Sequence, residues 1–293
     1  MNQKKTSLIK YISGLLLFGL NGVIADKILL PSYEIVFLRT LIGSLFLIAV
    51  FYLGGHRLAL KKDNKKEVLF VLLSGVSMGA SWIVLYEAYQ RIGVGMSSIA
   101  YYCGPVIVMI LAPVLFRQKT TRLQKICFCI VLTGIFLANL SDLDRQIDGF
   151  GLICGLLSAI FHALMVIFTM KAPSITGNKN SMMQLTVSFL TVAVFVCCGH
   201  SLSLPQTSME WGWILFLGLI NTGIGCYLYF SSIAFLPVQS ISILGYLEPL
   251  SSVIFALLLI HEPMSFLQLT GAFLILAGSV LSEISGSTAA STS

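Results

Sequence analysis

The chain has 293 residues, 57% of them hydrophobic and only 10% charged, with a formal net charge of +6 and a mean hydropathy of +0.92. A soluble globular chain carries about a quarter of its residues as charges, so this composition excludes one. It also leaves no room for a catalytic domain outside the apolar segments.

A helix needs about 20 apolar residues to cross the hydrocarbon core of a bilayer. Ten segments meet that length, near residues 8–29, 34–54, 68–90, 96–116, 123–140, 149–170, 182–203, 211–232, 240–260 and 266–283. The first follows Lys4, Lys5 and Lys10 like a signal peptide. No small-x-small cleavage site precedes Asp26, so it reads as an uncleaved helix. Asn21 lies within it. The second carries Arg39, which either snorkels to the outer headgroups or finds a partner on another helix. Glu34, five residues away, is poorly placed to pair with it. In the third segment Trp82 and Tyr86 are one turn apart and share a face. Glu87 falls near its outer end, at the interface or at the mouth of a cavity.

The fourth segment carries Tyr102 and Pro105, and the sixth carries His162 near mid-membrane. Asn221, Tyr227 and Tyr229 belong to the eighth, and Tyr246, Glu248 and Pro249 to the ninth. Residues 286–293, rich in Ser, Thr and Ala, are expected to be disordered.

Lys and Arg set the orientation. With the N-terminus inside, 14 of them gather on the cytoplasmic side against Lys27, Arg91 and Arg145 outside. Both termini are therefore expected in the cytoplasm. The positive charge is this bias and calls for no nucleic-acid partner.

The last half of the chain repeats the first. At a shift of 144, Ser98, Ile99, Tyr102, Pro105, Leu123, Gln124, Gly134 and Leu137 fall on Ser242, Ile243, Tyr246, Pro249, Leu267, Gln268, Gly278 and Leu281. This divides one membrane domain into halves of about 1–141 and 148–285. Five helices per half is an odd number, so the second half must lie inverted, the arrangement that underlies alternating access in transporters.

None of the seven cysteines shows metal-ligand spacing, and adjacent Cys197 and Cys198 make poor disulfide geometry. They read as small buried hydrophobes, and neither metal nor cofactor is expected. No serine-hydrolase elbow, zinc-protease motif or phosphate-binding loop is present. Transport by such a chain is facilitated or ion-coupled.

Residues Gly245–Leu250 (Gly-Tyr-Leu-Glu-Pro-Leu), Ile260–Ser265 with Glu262, and Gly271 with Gly278 closely resemble the drug/metabolite transporter superfamily, in its EamA-type ten-helix members. Gly104-Pro105 and Gln118 look like an eroded first copy, and Phe37-Leu38-Arg39 like the family's arginine position in the second helix. The resemblance implies a ten-helix bundle with helices 1, 3, 4, 6, 8 and 9 around a central cavity and helices 5 and 10 outside it. It also implies a small-metabolite substrate and, for most bacterial members, export across the cytoplasmic membrane.

An ionisable group at the bilayer centre costs about 2.5–3.5 kcal/mol on insertion scales, so each one needs a reason. Glu248 is either a proton carrier or counter-charge, or a structural partner for backbone freed by Pro249. Tyr246 and Glu248 stand about 200° apart on a regular helix, so one facing a cavity turns the other toward a neighbouring helix. His162 bonds another helix or relays protons, and Asn21 and Asn221 orient a substrate or bridge helices. Trp82, Tyr102 and Tyr246 lie too deep for an interfacial belt and suit an aromatic or cationic ligand.

The substrate-binding candidates are thus Asn21, Trp82, Tyr86, Tyr102, His162, Asn221 and Tyr246. Those for coupling or conformational change are Glu87, Glu248, Pro105, Pro249 and Arg39. The expected function is export of amino acids or related solutes. The alternatives are transport of a choline-like quaternary ammonium ion, and a non-transporting membrane scaffold. The expected partners are a small-molecule substrate, the lipid bilayer and, as a candidate coupling ion, the proton, for a monomer or weak dimer. Positions where the repeat breaks, Gly104/Glu248, Phe18/His162, Asn21/Met165 and Glu87/Ser231, are where substrate chemistry is expected.

Overall fold

The computed structural model describes residues 3–55, 58, 65–101, 103–116, 122–140, 148–199, 202–261 and 265–291, and every element among them is helical. The first half comprises α1 (Gln3–Gly19), α2 (Asn21–Ala25), α3 (Ser32–Leu53), α4 (Lys65–Tyr101), α5 (Cys103–Phe116) and α6 (Arg122–Leu140). The second comprises α7 (Gly149–Met170), α8 (Gly177–Cys197), α9 (Ser208–Phe216), α10 (Gly225–Ile233), α11 (Val238–Leu244), α12 (Leu247–Phe255) and α13 (Phe266–Ser291). A π-helical segment, Leu217–Ile224, joins α9 to α10, and another, Ala256–Ile260, prolongs α12.

By length and composition, six spans among the described residues can cross a membrane: Gln3–Ala25, Ser32–Leu53, Lys65–Ser98, Gly149–Met170, Gly177–Cys197 and Ser208–Ile233. Leu250–Ile260 and Phe266–Ile275 are shorter apolar helices. The outward faces are apolar, with Phe136, Ile153, Val194 and Phe273 exposed, as a lipid-facing surface requires.

Several boundaries differ from those expected. The third and fourth segments run together as α4 through a kink at Gly93, whose φ of 77° and ψ of 167° are open to glycine. The seventh helix starts at Gly177 rather than Met182, because its polar first turns are buried and bonded internally. Asn180 Nδ2 donates to the Phe230 carbonyl, and Gln184 Nε2 to Thr169 Oγ1. Backbone helix also continues through Ser291, into the tail expected to be disordered, where Ala289 and Ala290 favour it.

Helix pairing obeys the 144-residue shift. The pair α1 with α10 corresponds to α7 with α4, α1 with α12 to α7 with α5, and α12 with α4 to α5 with α11. α3 packs on its own counterpart α8, and α6 on α13. The last pair shows the symmetry in atoms. A Cβ on Gly134 would stand 2.7 Å from the Gly271 carbonyl and 2.9 Å from Ile275, while one on Gly278 would stand 3.0 Å from the Cys127 carbonyl and 2.9 Å from Val131. Positions 127 and 271, and 131 and 275, are repeat mates, so each glycine touches the counterpart of what the other touches.

Candidate functional site

The interior of the bundle is where its helices stop being regular. The first span breaks at Leu20, between α1 and α2, and the ninth breaks at Gly245 and Tyr246, just before Glu248. The π-helical segment carries Asn221 and Thr222. Irregular backbone at membrane depth persists only where protein or a cavity satisfies it, and π segments concentrate at functional positions.

Arg39 lies at the centre of this region and is fully buried. Snorkelling is thereby overturned: the guanidinium reaches inward, to partners on other helices. Its Nε donates to Thr222 Oγ1 at 2.8 Å, and its Nη1 donates to the Tyr86 hydroxyl. The guanidinium carbon sits 4.4 Å from the Trp82 ring centroid and 5.0 Å from that of Tyr86. Trp82 and Tyr86 share a face as their spacing requires, and that face is taken by the protein's own cation. Thr222 in turn donates to the Leu217 carbonyl at 2.8 Å, a bond the π turn makes available. Arg39 Nη2 is buried with no hydrogen-bond partner among the described residues.

Asn221 Nδ2 donates to the Leu17 carbonyl at 2.8 Å and to Asn21 Oδ1 at 3.2 Å. The two amides therefore bridge the π segment to the broken first span. Asn221 Oδ1 is buried without a partner among the described residues. The unmet cationic donor on Arg39 and the unmet amide acceptor on Asn221 thus belong to one hydrogen-bonded lattice, since Thr222, next in the chain to Asn221, holds Arg39.

Glu248 occupies the first turn of α12 and is 7% exposed. It lies in electrostatic range of Arg39 and faces the Tyr101 hydroxyl. Among the described residues the two charges form no ion pair within 4.0 Å. Tyr11, Tyr86, Tyr89 and Tyr229 also lie within electrostatic range of the carboxyl. Tyr101 also shares a hydrogen bond with His162 Nδ1 and packs edge-on to its ring.

Tyr246 takes the other direction, into a satellite core with Val106, Val131, Leu250, Val253 and Ile275. The 200° separation from Glu248 is therefore resolved with the glutamate inward. Tyr246 does not join the Arg39 cluster. Tyr102 lies outside the described residues, as does Glu262, and Pro249 is described only as backbone of α12. Pro105 is buried in the first turn of α5, where a missing N–H costs nothing. At Gly104, the repeat mate of Glu248, a Cβ would stand 3.2 Å from both the Ala159 carbonyl and His162 Cδ2. α7 therefore fills in the first half the space a carboxylate occupies in the second.

A cavity of about 210 Å³ descends toward the cluster from the Asp26 end, lined by Asp26, Ile35, Tyr86, Tyr89, Gln90 and Val94 among others. Tyr86 belongs to both cavity wall and arginine site. Glu87 is outside the cavity lining, in a polar seam at the same end of α4. It accepts from Ser32 Oγ and from Arg91 Nε, each at 2.6 Å. Arg91 also reaches Asp148 at 3.0 Å, whose carboxylate caps α7 through the Phe150 amide.

Hydrogen bonding from Arg91 is the main reason the Asp148 carboxyl is held below its ordinary range. A depressed folded-state value stabilises above the unfolded one, about 3.9, and that stability is lost as pH falls through the folded value. Asp148→Asn keeps the cap but removes the charge. Its melting temperature should lie slightly and evenly below the unmodified protein's from pH 8 to 5, the gap closing below about pH 3.9. An unchanged gap at pH 3 would remove the ion pair as its cause.

Sequence reading missed Tyr11, Tyr89 and Tyr101. Tyr11, Leu15 and Phe18 follow an i, i+4, i+7 stripe and Tyr89 is three residues beyond Tyr86, so the signal was present in the spacing. It also missed a second buried polar knot, in which Ser74, Thr169, Gln184 and Asn180 tie α4, α7 and α8 together.

The comparisons with known proteins agree with this architecture. Residues 6–140 and 149–283 each match the EamA-like transporter family. The chain belongs to that family. It is similar to the uncharacterized transporter YxxF of Bacillus subtilis (strain 168), 27% identical over 285 residues that span 96% of this chain and 91% of that protein. The pseudopaline exporter CntI of Pseudomonas aeruginosa PAO1 is 25% identical over 196 residues, 66% of this chain and 65% of that protein. A solved crystal structure shares the fold, with a TM-score of 0.75 at 15% identity over 96% of this chain and 98% of that one. The EamA-family chain is thus a multi-pass membrane transporter, not an enzyme.

Proposed function

We propose that this EamA-family protein exports amino acids or related small solutes across the cytoplasmic membrane by alternating access. Its ten spans form two inverted halves, about 1–141 and 148–285, with both termini in the cytoplasm. The two family matches, the 144-residue exchange of helix pairings and the 14-to-3 bias of basic residues support this reading. The observation that carries it is Arg39: a fully buried guanidinium with an open donor, among broken helices, bonded to a tyrosine, Tyr86, that lines a cavity. Burying a charge without an ionic partner costs several kcal/mol, a cost that a passing solute with complementary charge offsets.

Export is the direction of transport in one relative, the pseudopaline exporter CntI. A choline-like substrate has less to bind here, because Trp82 and Tyr86 already face Arg39. The test is flux into and out of proteoliposomes holding the purified full chain, with radiolabelled amino acids and choline as separate arms. Saturable flux of at least one amino acid is expected. Saturable choline flux alone would replace the substrate class, and no saturable flux in any arm would overturn the reading. Imposing a pH gradient in the same vesicles decides whether protons are coupled.

A further inference from the structure

The open atoms around Arg39 specify more than a general solute. We propose that an α-amino acid passing between these spans is held by both its charged ends, the carboxylate on Arg39 Nη2 and the ammonium on Asn221 Oδ1. This rests on the transport reading above and adds which end of the substrate each side chain takes.

Two of the arginine's donor groups are already committed. Nε is on Thr222 and Nη1 on Tyr86, so the fork is held rigidly while Nη2 stays open. An open, buried guanidinium edge calls for an anionic oxygen, and carboxylate is the planar acceptor it matches. Asn221 is equally fixed. Both acceptors its Nδ2 uses lie on the first span, so the amide cannot flip, and its Oδ1 asks for an N–H or O–H donor. Asn221 and Thr222 are consecutive, so the open acceptor and the open donor are held in one lattice.

Charge excludes the simpler ligands. An amine alone would bring a second cation into a buried space already holding Arg39. A plain carboxylic acid would satisfy Arg39 and leave the Asn221 oxygen unmet. A zwitterion satisfies both and adds no net charge at membrane depth, where net charge is most costly.

The probes are the twenty standard L-amino acids, each tested for thermal stabilisation of the purified full chain in lipid nanodiscs. The strongest stabiliser is then compared with its α-amide and its decarboxylated amine, which lack the anionic end, and with its α-hydroxy acid, which lacks the cationic one. Each analogue should bind about tenfold more weakly or worse, the loss expected for a charge-assisted hydrogen bond. In Arg39→Lys, which keeps the charge but not the fork, the preference for acid over amide should shrink by about the same factor. The ligand series on the unmodified protein decides the matter if that variant does not fold.

An amide that binds as well as its acid, or no stabilisation by any amino acid, would overturn the assignment. Saturable flux of another metabolite would then leave the transport reading standing. Absence of all saturable flux would remove that reading instead.

Discussion

Arg39→Met is expected to cost transport about a hundredfold while changing the stability of the folded protein by no more than about 3 kcal/mol. The guanidinium is fully buried and has no carboxylate within ion-pair distance among the described residues, so it destabilises the empty protein. Replacing buried charge by a hydrophobic side chain of similar size is commonly neutral or stabilising by about 1–4 kcal/mol. The partners left behind limit the gain. Thr222 still donates to the Leu217 carbonyl, but the Tyr86 hydroxyl loses its donor, at about 1–3 kcal/mol if nothing replaces it. The two terms leave stability within about 3 kcal/mol of the unmodified protein's, in either direction. Flux should fall by about a hundredfold, the upper range for losing a charged hydrogen-bond partner. Thermal unfolding and vesicle flux on the same preparation check both halves. A variant that is markedly less stable and equally active would make Arg39 a structural tie.

What the sequence made legible follows from how the bilayer acts on composition. A span must be long and apolar, so α1, α3, α7 and the start of α4 could be read from hydropathy alone. The repeat was legible because identical residues recur at one shift, and the helix pairings follow it. Breaks were not legible in the same way. Leu217–Ile224 carries no proline to announce a π turn, and although Gly19 and Asn21-Gly22 flank the break at Leu20, the surrounding apolar run reads as one continuous span. Both irregularities are fixed by tertiary partners: Asn221 bonds the Leu17 carbonyl, and Thr222 joins Leu217 to Arg39.

The candidate site was legible as a set of residues and not as an arrangement. Arg39, Trp82, Tyr86, Asn21 and Asn221 do meet, and of the two directions open to Arg39, outward to the headgroups or to a partner on another helix, it takes the second. Two rings, of Trp82 and Tyr86, and two hydroxyls, of Tyr86 and Thr222, draw it inward to other helices. Repeat matching drew attention to Tyr102 and Tyr246, whereas the tyrosine that faces both Glu248 and His162 is Tyr101. Matched residues mark shared packing, and Tyr246 serves that in its satellite core. Glu248 and His162 are unmatched, and both lie in the interior cluster.

Gly19→Ala should cripple the protein by moving α12, and Ser251→Gly should rescue it. A Cβ on Gly19 would stand 2.0 Å from Ser251 Oγ, 2.9 Å from Ser251 Cβ and 3.1 Å from the Glu248 carbonyl. Ser251 Oγ itself donates to that carbonyl at 2.8 Å, so the added methyl strikes the bond that closes the first turn of α12. The turn cannot yield without carrying Glu248 away from Arg39 and Tyr101. Overpacking of this kind costs about 1–3 kcal/mol, and the displaced carboxylate should lower flux by about tenfold or more. Removing the Ser251 side chain eliminates both contacts under 3.0 Å, at the price of about 0.5–1 kcal/mol for glycine inside a helix. In the Ser251→Gly background, Gly19→Ala should therefore change stability and flux little. That non-additivity in a double-mutant cycle is the signature of direct contact between α1 and α12. Equal losses in both backgrounds would mean that Gly19 acts on the backbone of α1 alone, and the close approach that sets Glu248 opposite Arg39 would have to come from elsewhere.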